Sequence, residues 1–303
     1  MKRNVFLAMT GHLNIDMVLK VNRIPTEGSI NVTQVSEVYG GTAGNFSMVA
    51  AALGIEFDLY SAVSEKTHSS YLNFLKSKGV NTSNILVDGQ DRGPICYAAS
   101  TGSDQVYYIY QGPMNRSFLK GHISTDTHYS YLHLGTGDPE ELRYAVDHAS
   151  YDRAVFDPGQ ELSYRYSNEQ VLYFAKVADI AILNDIEMDQ MHALTGGKDP
   201  KSLFRNLIVT HGKRGSTVYT AKGSTEISAM RTSEIHDTVG AGDAFRAGLY
   251  LGIQNGFTLE ESSAIGSVVS SMAIRKPMAE FSYDSRTVLK TFSDRKHELM
   301  GGV

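Results

Sequence analysis

The chain alternates short, continuously apolar runs with longer stretches whose apolar residues recur at helical spacing. The short runs predict buried strands and the longer stretches predict helices. The predicted strands are Val5–Thr10, Phe57–Val63, Tyr129–Leu134, Ala154–Phe156, Ile180–Leu183, Leu207–Thr210 and Thr217–Thr220. The predicted helices are Phe46–Leu53, Ser69–Ser77, Pro139–His148, Asn168–Lys176, Glu187–Leu194 and Ala244–Gly252. This alternation is typical of a doubly wound α/β fold, in which helices cover both faces of a mostly parallel sheet and functional loops follow the carboxyl ends of its strands.

Two regions, Lys20–Val38 and Ile95–Tyr110, interrupt the alternation. They carry polar–apolar alternation, turn residues and several tyrosines, which favours antiparallel strands outside the main sheet. We predict that they form one small sheet, drawn from about residues 11–38 and 91–112, that acts as a lid over a cleft. Because no repeat or linker-like tract divides the sequence, residues 1–303 are predicted to form a single domain.

Composition narrows the class of protein further. The formal net charge of -5 and the pI of about 6.1 provide no field that would hold nucleic acid by its phosphates. The single cysteine, Cys96, favours a reducing compartment, and no apolar stretch approaches the ~20 residues needed to span a bilayer. We therefore expect a cytoplasmic protein with neither a nucleic-acid nor a membrane partner.

The segment His236–Gly252, HDTVGAGDAFRAGLYLG, places Asp243 beside two glycines at the start of a predicted helix. The glycines allow backbone N–H groups to converge on one point, and the helix N-terminus adds partial positive charge. A carboxylate there can accept a proton from a hydroxyl while the N–H groups stabilise a transferring phosphoryl group. Taken alone, a glycine turn followed by a capping aspartate is the more common interpretation.

Two segments near the N-terminus add candidate ligand-binding residues. In Tyr39–Gly54, YGGTAGNFSMVAAALG, the pair Gly40 and Gly41 would let a ligand lie against the backbone. Asn45, at the start of the following helix, offers both a donor and an acceptor. In GHLNID, Gly11–Asp16, the side chains of Asn14 and Asp16 point the same way if the segment is extended.

Together these segments resemble the signatures of the ribokinase-like (PfkB) family of carbohydrate and nucleoside kinases. The match of Asp237–Gly248 to the family's C-terminal signature implies that Asp243 is the catalytic base. It also implies that the backbone of Gly240, Ala241 and Gly242 forms the anion hole. The resemblance implies a three-layer αβα fold with a small β lid, and ATP as the phosphoryl donor.

The same resemblance assigns the ligand-binding residues. Gly40, Gly41 and Asn45 match the Gly-Gly-x-x-x-Asn element that binds the sugar, and Asn14 and Asp16 match residues that hydrogen-bond its hydroxyls.

For the nucleotide, NDIE matches the family's Asn-x-x-Glu motif, with Asn184 near the phosphates and Glu187 holding Mg²⁺ through water. Thr210, Gly212 and Gly215 match the Thr-x-Gly-x-x-Gly stretch. The segment Ser263–Ser271, with Ser267 at its centre, is expected to line the adenine pocket. The resemblance leaves a dependence on a monovalent cation open.

Two further segments depart from simple motif patterns, and one common kinase motif is absent from the sequence. After the strand that ends at Val63, the family usually has Gly-x-Asp-x-x-Gly, but this chain has Ser-Glu-Lys-Thr-His at 64–68, so roles from that loop do not transfer. The glycines of HLGTGDPEE, His133–Glu141, mimic a phosphate loop, but its acidic residues favour a strand-to-helix turn near the substrate. No Gly-x-x-x-x-Gly-Lys-Ser/Thr stretch is present, which argues against a P-loop kinase.

The molecule that accepts the phosphoryl group has to be inferred from side chains of the predicted lid and cleft. Tyr107, Tyr108 and Tyr110 lie in a predicted lid strand, where one of them, taken here as Tyr108, can stack on a base. A lid core or a dimer interface explains the same tyrosines equally well. FDPGQEL, in which Asp157 is a candidate substrate ligand, looks like the family's nucleoside kinases, most of all the archaeal-type enzymes of broad specificity.

We therefore expect transfer of the γ-phosphoryl group of ATP to the 5′-hydroxyl of a ribonucleoside. A sugar kinase of the ribokinase or fructokinase type keeps every motif and is the alternative. A ligand sensor without activity would not need Asp243 or its glycines. Exposed edge strands in the lid favour a homodimer formed lid to lid.

Overall fold

The computed structural model of the chain describes residues 2–102, 104–116 and 118–301. The described strands are β1 Arg3–Thr10, β2 Asn14–Val21, β3 Val32–Gly40, β4 Phe57–Ser64, β5 Ile85–Asp88, β6 Ile95–Ser100, β7 Gln105–Tyr110, β8 Thr127–Leu134, β9 Ser150–Phe156, β10 Ile180–Asn184, β11 Leu207–Thr210, β12 Ser216–Thr220 and β13 Gly223–Ile227. The described α-helices are α1 Thr42–Ala52, α2 Glu65–Ser77, α3 Pro139–His148, α4 Leu162–Arg165, α5 Asn168–Val177, α6 Asp185–Leu194, α7 Ala241–Gln254, α8 Leu259–Ala273 and α9 Ser285–Leu299.

Within the described residues, the main sheet has nine strands in the order β13-β12-β11-β10-β9-β8-β1-β4-β5. The strands from β5 to β11 in this order are parallel, and β12 and β13 are antiparallel additions at one edge. Successive side chains of β10 enter opposite cores: Ile180 and Ile182 pack in one, Ala181 and Leu183 in the other. The predicted three-layer, mostly parallel α/β fold is confirmed.

A second sheet of four described strands has the order β3-β2-β6-β7. It contains both regions predicted to form the lid. The prediction of purely antiparallel strands was wrong at one place, since β2 and β6 pair in parallel. The strand β2 also begins at Asn14, well before the predicted start at Lys20, because it runs directly out of the loop after β1. Asn14 and Asp16 consequently belong to the small sheet.

The segment at 64–68 that departs from the family pattern begins a helix. Ser64 caps α2 by accepting a hydrogen bond from the Lys66 N–H at 3.1 Å. His68, which is buried, donates from Nε2 to the carbonyl of Leu13 at 2.9 Å. That bond ties α2 to the loop from which β2 emerges.

In the part of the chain that the structure describes, no helix is long and apolar enough to cross a membrane.

Candidate active site

The N-terminus of α7 is built by the turn that the glycine-rich motif predicts. Asp237 Oδ1 accepts from the Val239 N–H at 3.0 Å, and the Ala241 N–H donates to the Thr238 carbonyl at 3.2 Å. Gly240 then takes a left-handed conformation, with φ of 78°, at the N-cap position. Because the first N–H groups of a helix have no acceptor within it, the turn presents donors and partial positive charge at this point. Of the three N–H groups predicted for the anion hole, that of Ala241 is already engaged in holding the turn.

Asp243 lies in the first turn of α7 and is buried. Its Oδ2 accepts from the amide Nδ2 of Asn45 at 2.9 Å, and its Oδ1 lies 3.8 Å from Nη1 of Arg246. Burial raises the pKa of Asp243 to about 6, although Arg246 and Asn45 both favour the charged form. A carboxylate with that pKa is ionised at neutral pH and still basic enough to accept a proton.

A chain of buried polar groups lies behind the carboxylate. Arg246 donates from Nε and Nη2 to the two carboxylate oxygens of Asp157, which follows the end of β9. His133 Nε2 lies 3.4 Å from Asp157, and its Nδ1 lies 2.8 Å from the hydroxyl of Tyr250. Burial opposes ionisation of Asp157, but Arg246 and His133 hold its pKa well below the usual range. The carboxylate is therefore charged and fully committed to its partners.

A cavity of about 310 Å³ opens between the small sheet and the N-terminus of α7. Asn14, Asp16, Gly41, Asn45, Gly240 and Asp243 line it, together with His12, Thr42, Cys96, Tyr107, Ile109, Gln111, Thr136, Gly159, Gln160, Glu161, Asn184, Glu187, Val239 and Arg246. The cavity thus brings the predicted substrate residues of the N-terminal segments next to the predicted base.

The floor of this cavity is made by the residues of the two N-terminal motifs. Asn14 and Asp16 share one face of β2 because they are two residues apart, and among the described residues Asn14 Oδ1 is buried without a hydrogen-bond partner. Gly41 has φ of 83°, and a Cβ there would come within 2.5 Å of the His12 carbonyl. A Cβ on Gly40 would lie 2.1 Å from the carboxylate of Asp16. Burial and the nearby Asp243 carboxylate raise the pKa of Asp16 to about 7.

Beside this floor, the wall of the cavity formed by His12 is polar but uncharged. Burial lowers the pKa of His12 to about 4, so the ring is neutral. Its Nε2 donates to the side-chain carbonyl of Gln111, which leaves Nδ1 to accept from the Thr136 hydroxyl at 2.8 Å. Gln111 in turn donates to Glu161 Oε1 at 2.9 Å. These hydrogen bonds fix the positions of the Gln111 amide and the Thr136 hydroxyl in the cavity wall.

A second cavity, of about 380 Å³, lies on the other side of the α7 N-terminus. The predicted nucleotide residues Thr210, Gly212, Gly215 and Ser267 all line it, together with Lys213, Ala229, Met230, Arg231, Thr232, Ile235, Thr238, Ala241, Gly242, Phe245, Ser270, Ser271 and Ile274. Ser267 accepts from the Met230 N–H at 2.9 Å and donates to the Ser228 carbonyl at 3.1 Å. Its hydroxyl therefore shapes the wall of this cavity.

Asn184 and Glu187 lie in the first cavity, near Asp243 and Arg246, rather than in the second one. The two residues form a capping box: Asn184 Oδ1 accepts from the Glu187 N–H and Glu187 Oε2 accepts from the Asn184 N–H, both at 2.9 Å. Burial raises the pKa of Glu187 to about 7. The described part of the chain holds no group of three or more His, Cys, Asp or Glu side chains suited to bind a metal. This donor set fits Mg²⁺ only if water and phosphate supply most of its ligands.

Three predicted substrate residues do not line the cavity, and one of them, Gly40, lies next to it against the Asp16 carboxylate. Tyr108 is 63% exposed on the opposite face of the small sheet, because side chains alternate along β7, and Tyr107 faces the cavity in its place. Asp157 lies beneath Arg246, with both of its oxygens engaged.

Sequence reasoning missed several lining residues, above all Arg246, Gln111 and the neutral His12. Arg246 directly follows Gly-Ala-Gly-Asp-Ala-Phe at 240–245, in a predicted helix. Residues three apart in a helix are neighbours, so the sequence itself indicated that Arg246 lies beside Asp243. Gln111 and His12 carried no such signal, since nearly a hundred residues separate them.

Comparison with known proteins identifies a family and several similar kinases. The family model for the pfkB family of carbohydrate kinases matches residues 5–286. A nucleoside kinase of Thermoplasma acidophilum is 40% identical, over 91% of this chain and 92% of that protein. A nucleoside kinase of Methanocaldococcus jannaschii is 27% identical, over 88% of this chain and 90% of its own length. The crystal structure of the Methanocaldococcus jannaschii nucleoside kinase superimposes with a TM-score of 0.84 at 25% identity, covering 97% of this chain and 99% of that one.

The family match spans both cavities and the helix between them, and membership of a kinase family implies ATP as the phosphoryl donor. The chain belongs to the pfkB family of carbohydrate kinases and is a phosphotransferase that acts on an alcohol group.

Proposed function

We propose that this protein is a nucleoside kinase that transfers the γ-phosphoryl group of ATP to the 5′-hydroxyl of ribonucleosides. The observation that carries the proposal is the meeting of two cavities at the N-terminus of α7, with Asp243 lining one and Gly242 the other. Similarity to the nucleoside kinase of Thermoplasma acidophilum, at 40% identity, supports a nucleoside as the acceptor.

In this proposal the ribose lies on the floor of the first cavity. The 2′- and 3′-hydroxyls donate to Asp16 and to the unpartnered Oδ1 of Asn14. Buried acceptors without partners are costly, so a hydroxyl there removes an existing penalty. The lid sheet closes over the ribose and excludes water.

The base lies toward Gln111, Gln160 and Tyr107, which line the same cavity. Amide side chains both donate and accept, and an aromatic ring stacks on any base, so this end suits several nucleobases. A sugar kinase would leave these groups without a ligand, which is why we favour a nucleoside over the sugar alternative.

ATP lies in the second cavity, with its phosphates directed at the α7 N-terminus. Lys213 and Arg231 line that cavity and supply positive charge that attracts the triphosphate. Asp243 accepts the proton of the attacking hydroxyl, while the N–H groups of Gly240 and Gly242 stabilise the charge on the γ-phosphoryl group and that of Ala241 holds the turn. Mg²⁺, held through water by Glu187 with Asn184 beside it, would neutralise charge on the phosphates when bound. Kinase activity measured with increasing K⁺ tests whether the enzyme depends on a monovalent cation.

The test is a turnover assay of the purified protein with Mg·ATP. We expect phosphorylation of at least one of adenosine, cytidine, inosine and guanosine in preference to ribose and fructose. Asp243→Asn is expected to keep nucleoside affinity and to lower kcat by about 10²–10⁴, the range that a positioned general base supplies. Turnover of ribose or fructose with all four nucleosides inert would contradict the nucleoside assignment. Near-normal turnover of the Asp243 variant would contradict the assignment of the base.

We also propose a homodimer formed through the lid. Tyr97, Tyr108 and Val35 lie on its outer face, exposed by 41%, 63% and 57%. Exposed apolar patches of this kind mark contact surfaces. Light scattering should give a dimer mass that Tyr108→Glu reduces to that of a monomer, and a monomeric wild type would refute this point.

A further inference from the structure

We infer that Arg246 is a further catalytic residue, whose Nη1 donates to the γ-phosphoryl group during transfer. The inference rests on the proposed function, which places that group at the N-terminus of α7. Arg246 lies in α7, three residues after Asp243, and lines the acceptor cavity.

The guanidinium is held so that one of its nitrogens faces the reaction site. Nε and Nη2 donate to Asp157, Nη2 at 2.5 Å, whereas Nη1 takes no part in that pair. Its distance of 3.8 Å from Asp243 Oδ1 is too long for a hydrogen bond. An N–H donor beside the proposed base is thereby available to an oxygen of the transferring group.

The backbone at the helix start makes room for this nitrogen. A Cβ on Gly242 would lie 2.9 Å from Arg246 Nη1. Gly242 also lines the nucleotide cavity, while Arg246 lines the acceptor cavity. Nη1 therefore lies against the peptide at the boundary of the two cavities, where a phosphoryl group has to cross.

The charges favour a role in the transition state. Phosphoryl transfer spreads negative charge over the equatorial oxygens, and a fixed cation stabilises it without reorganising. Asp157 fixes both the position and the direction of the guanidinium through a two-pronged contact. Arg246 also lowers the pKa of Asp243, so it keeps the base ionised.

A role in positioning alone would need only the contact with Asp157, so the test must detect contact with the phosphoryl group itself. Arg246→Gln and Arg246→Lys are compared with wild type for kcat and KM. Binding of a transition-state mimic, in which aluminium fluoride takes the place of the transferring phosphoryl group between ADP and the nucleoside, is measured as well. We expect kcat to fall by about 10²–10³ and affinity for the mimic to fall by a similar factor. Affinity for ADP alone should change less than threefold. Arg153→Gln, at an exposed arginine that donates to Tyr131 at 3.1 Å outside both cavities, is the control.

Because loss of Arg246 leaves Asp157 without its cation, a second variant retains the arginine and its charge. Gly242→Ala displaces Nη1, while Gly89→Ala, whose Cβ would meet only Glu65 at 3.7 Å, is the matched control. We expect Gly242→Ala to lower kcat at least tenfold with an unchanged melting temperature. Guanidinium ion added to Arg246→Ala should restore part of the turnover, and urea should not.

Unchanged affinity of the Arg246 variants for the transition-state mimic would overturn the inference, as would wild-type kcat in Gly242→Ala. Either result leaves the proposed function standing if wild type phosphorylates nucleosides and Asp243→Asn does not. If the wild-type protein phosphorylates none of the nucleosides, the proposed function is wrong, and the inference about Arg246 falls with it.

Discussion

At the scale of single residues, the reactivity of the site depends on burial of one carboxylate and on the two groups that contact it. Burial makes Asp243 a stronger base, while Asn45 and Arg246 keep it ionised near neutrality. The sequence motif predicted the carboxylate and the helix start. It did not show that Asn45, expected to contact the substrate, donates its amide N–H to Asp243.

The first prediction concerns the pH dependence of the reaction. A base whose pKa is about 6 has to be deprotonated, so kcat/KM should fall about tenfold per pH unit below pH 6 and level off above it. Steady-state rates from pH 5 to 8 measure this. A profile that stays flat down to pH 5 would show that Asp243 does not limit the reaction as its base.

Asn45→Ala gives the second prediction. The hydrogen bond from Asn45 favours the charged form of Asp243, so its removal should raise the pKa of Asp243 and shift the acidic limb to higher pH. Turnover at pH 6 should therefore fall more than turnover at pH 8. Equal losses at both pH values would assign Asn45 to substrate contact alone.

At the scale of elements, the alternation along β7 decides which tyrosine meets the substrate. Residues paired across the lid share a face, so Asp16, Cys96 and Ile109 lie in one row toward the cavity. Tyr107 lies on this face, and Tyr108 points the other way. The sequence showed this alternation, but it did not show which face of the small sheet covers the site.

The third prediction compares these neighbouring tyrosines. Tyr107→Ala should raise KM for nucleosides by about tenfold, since base stacking contributes roughly 1–3 kcal/mol. Tyr108→Ala should leave KM within about twofold, because its side chain is on the outer face. Nucleoside titrations at saturating ATP distinguish the two. A larger effect at Tyr108 would place the base on the other side of the lid.

At the scale of the whole molecule, the site gathers four carboxyl groups whose pKa values are raised by burial. They are about 7 for Asp16, Glu161 and Glu187, and about 6 for Asp243. An acid with a raised pKa binds more protons when folded than when unfolded, so stability is lost as pH rises through the folded pKa. The lowered pKa of His12 works in the opposite direction, but only below about pH 6.5.

The fourth prediction follows from that balance. The ligand-free protein should melt at a lower temperature at pH 8 than at pH 6.5, because the carboxyl groups dominate in this range. Thermal scans across the range measure it. Asp16→Asn, which removes one of these groups, should show a smaller decrease. A melting temperature that rises from pH 6.5 to 8 would contradict the prediction.

The sequence by itself determined seven of the nine described strands of the main sheet, six of the described helices, and the motifs that carry Asp243, Asn14 and Asp16. Period and spacing are local properties, and each of these features depends on a few adjacent residues. Short or edge elements such as β5 and β13, and the polar helix α9, gave too weak a pattern to be predicted.

Only the tertiary structure decided how these parts meet. Asn45 and Asp243 are 198 residues apart, and His12 and Gln111 are 99 apart, so no local pattern links them. The sheet brings the ends of distant strands together, and the helix N-terminus completes the site. The direction of a side chain, such as Tyr107 inward or Asp157 under Arg246, depends on which face of each element is covered, and packing alone decides that.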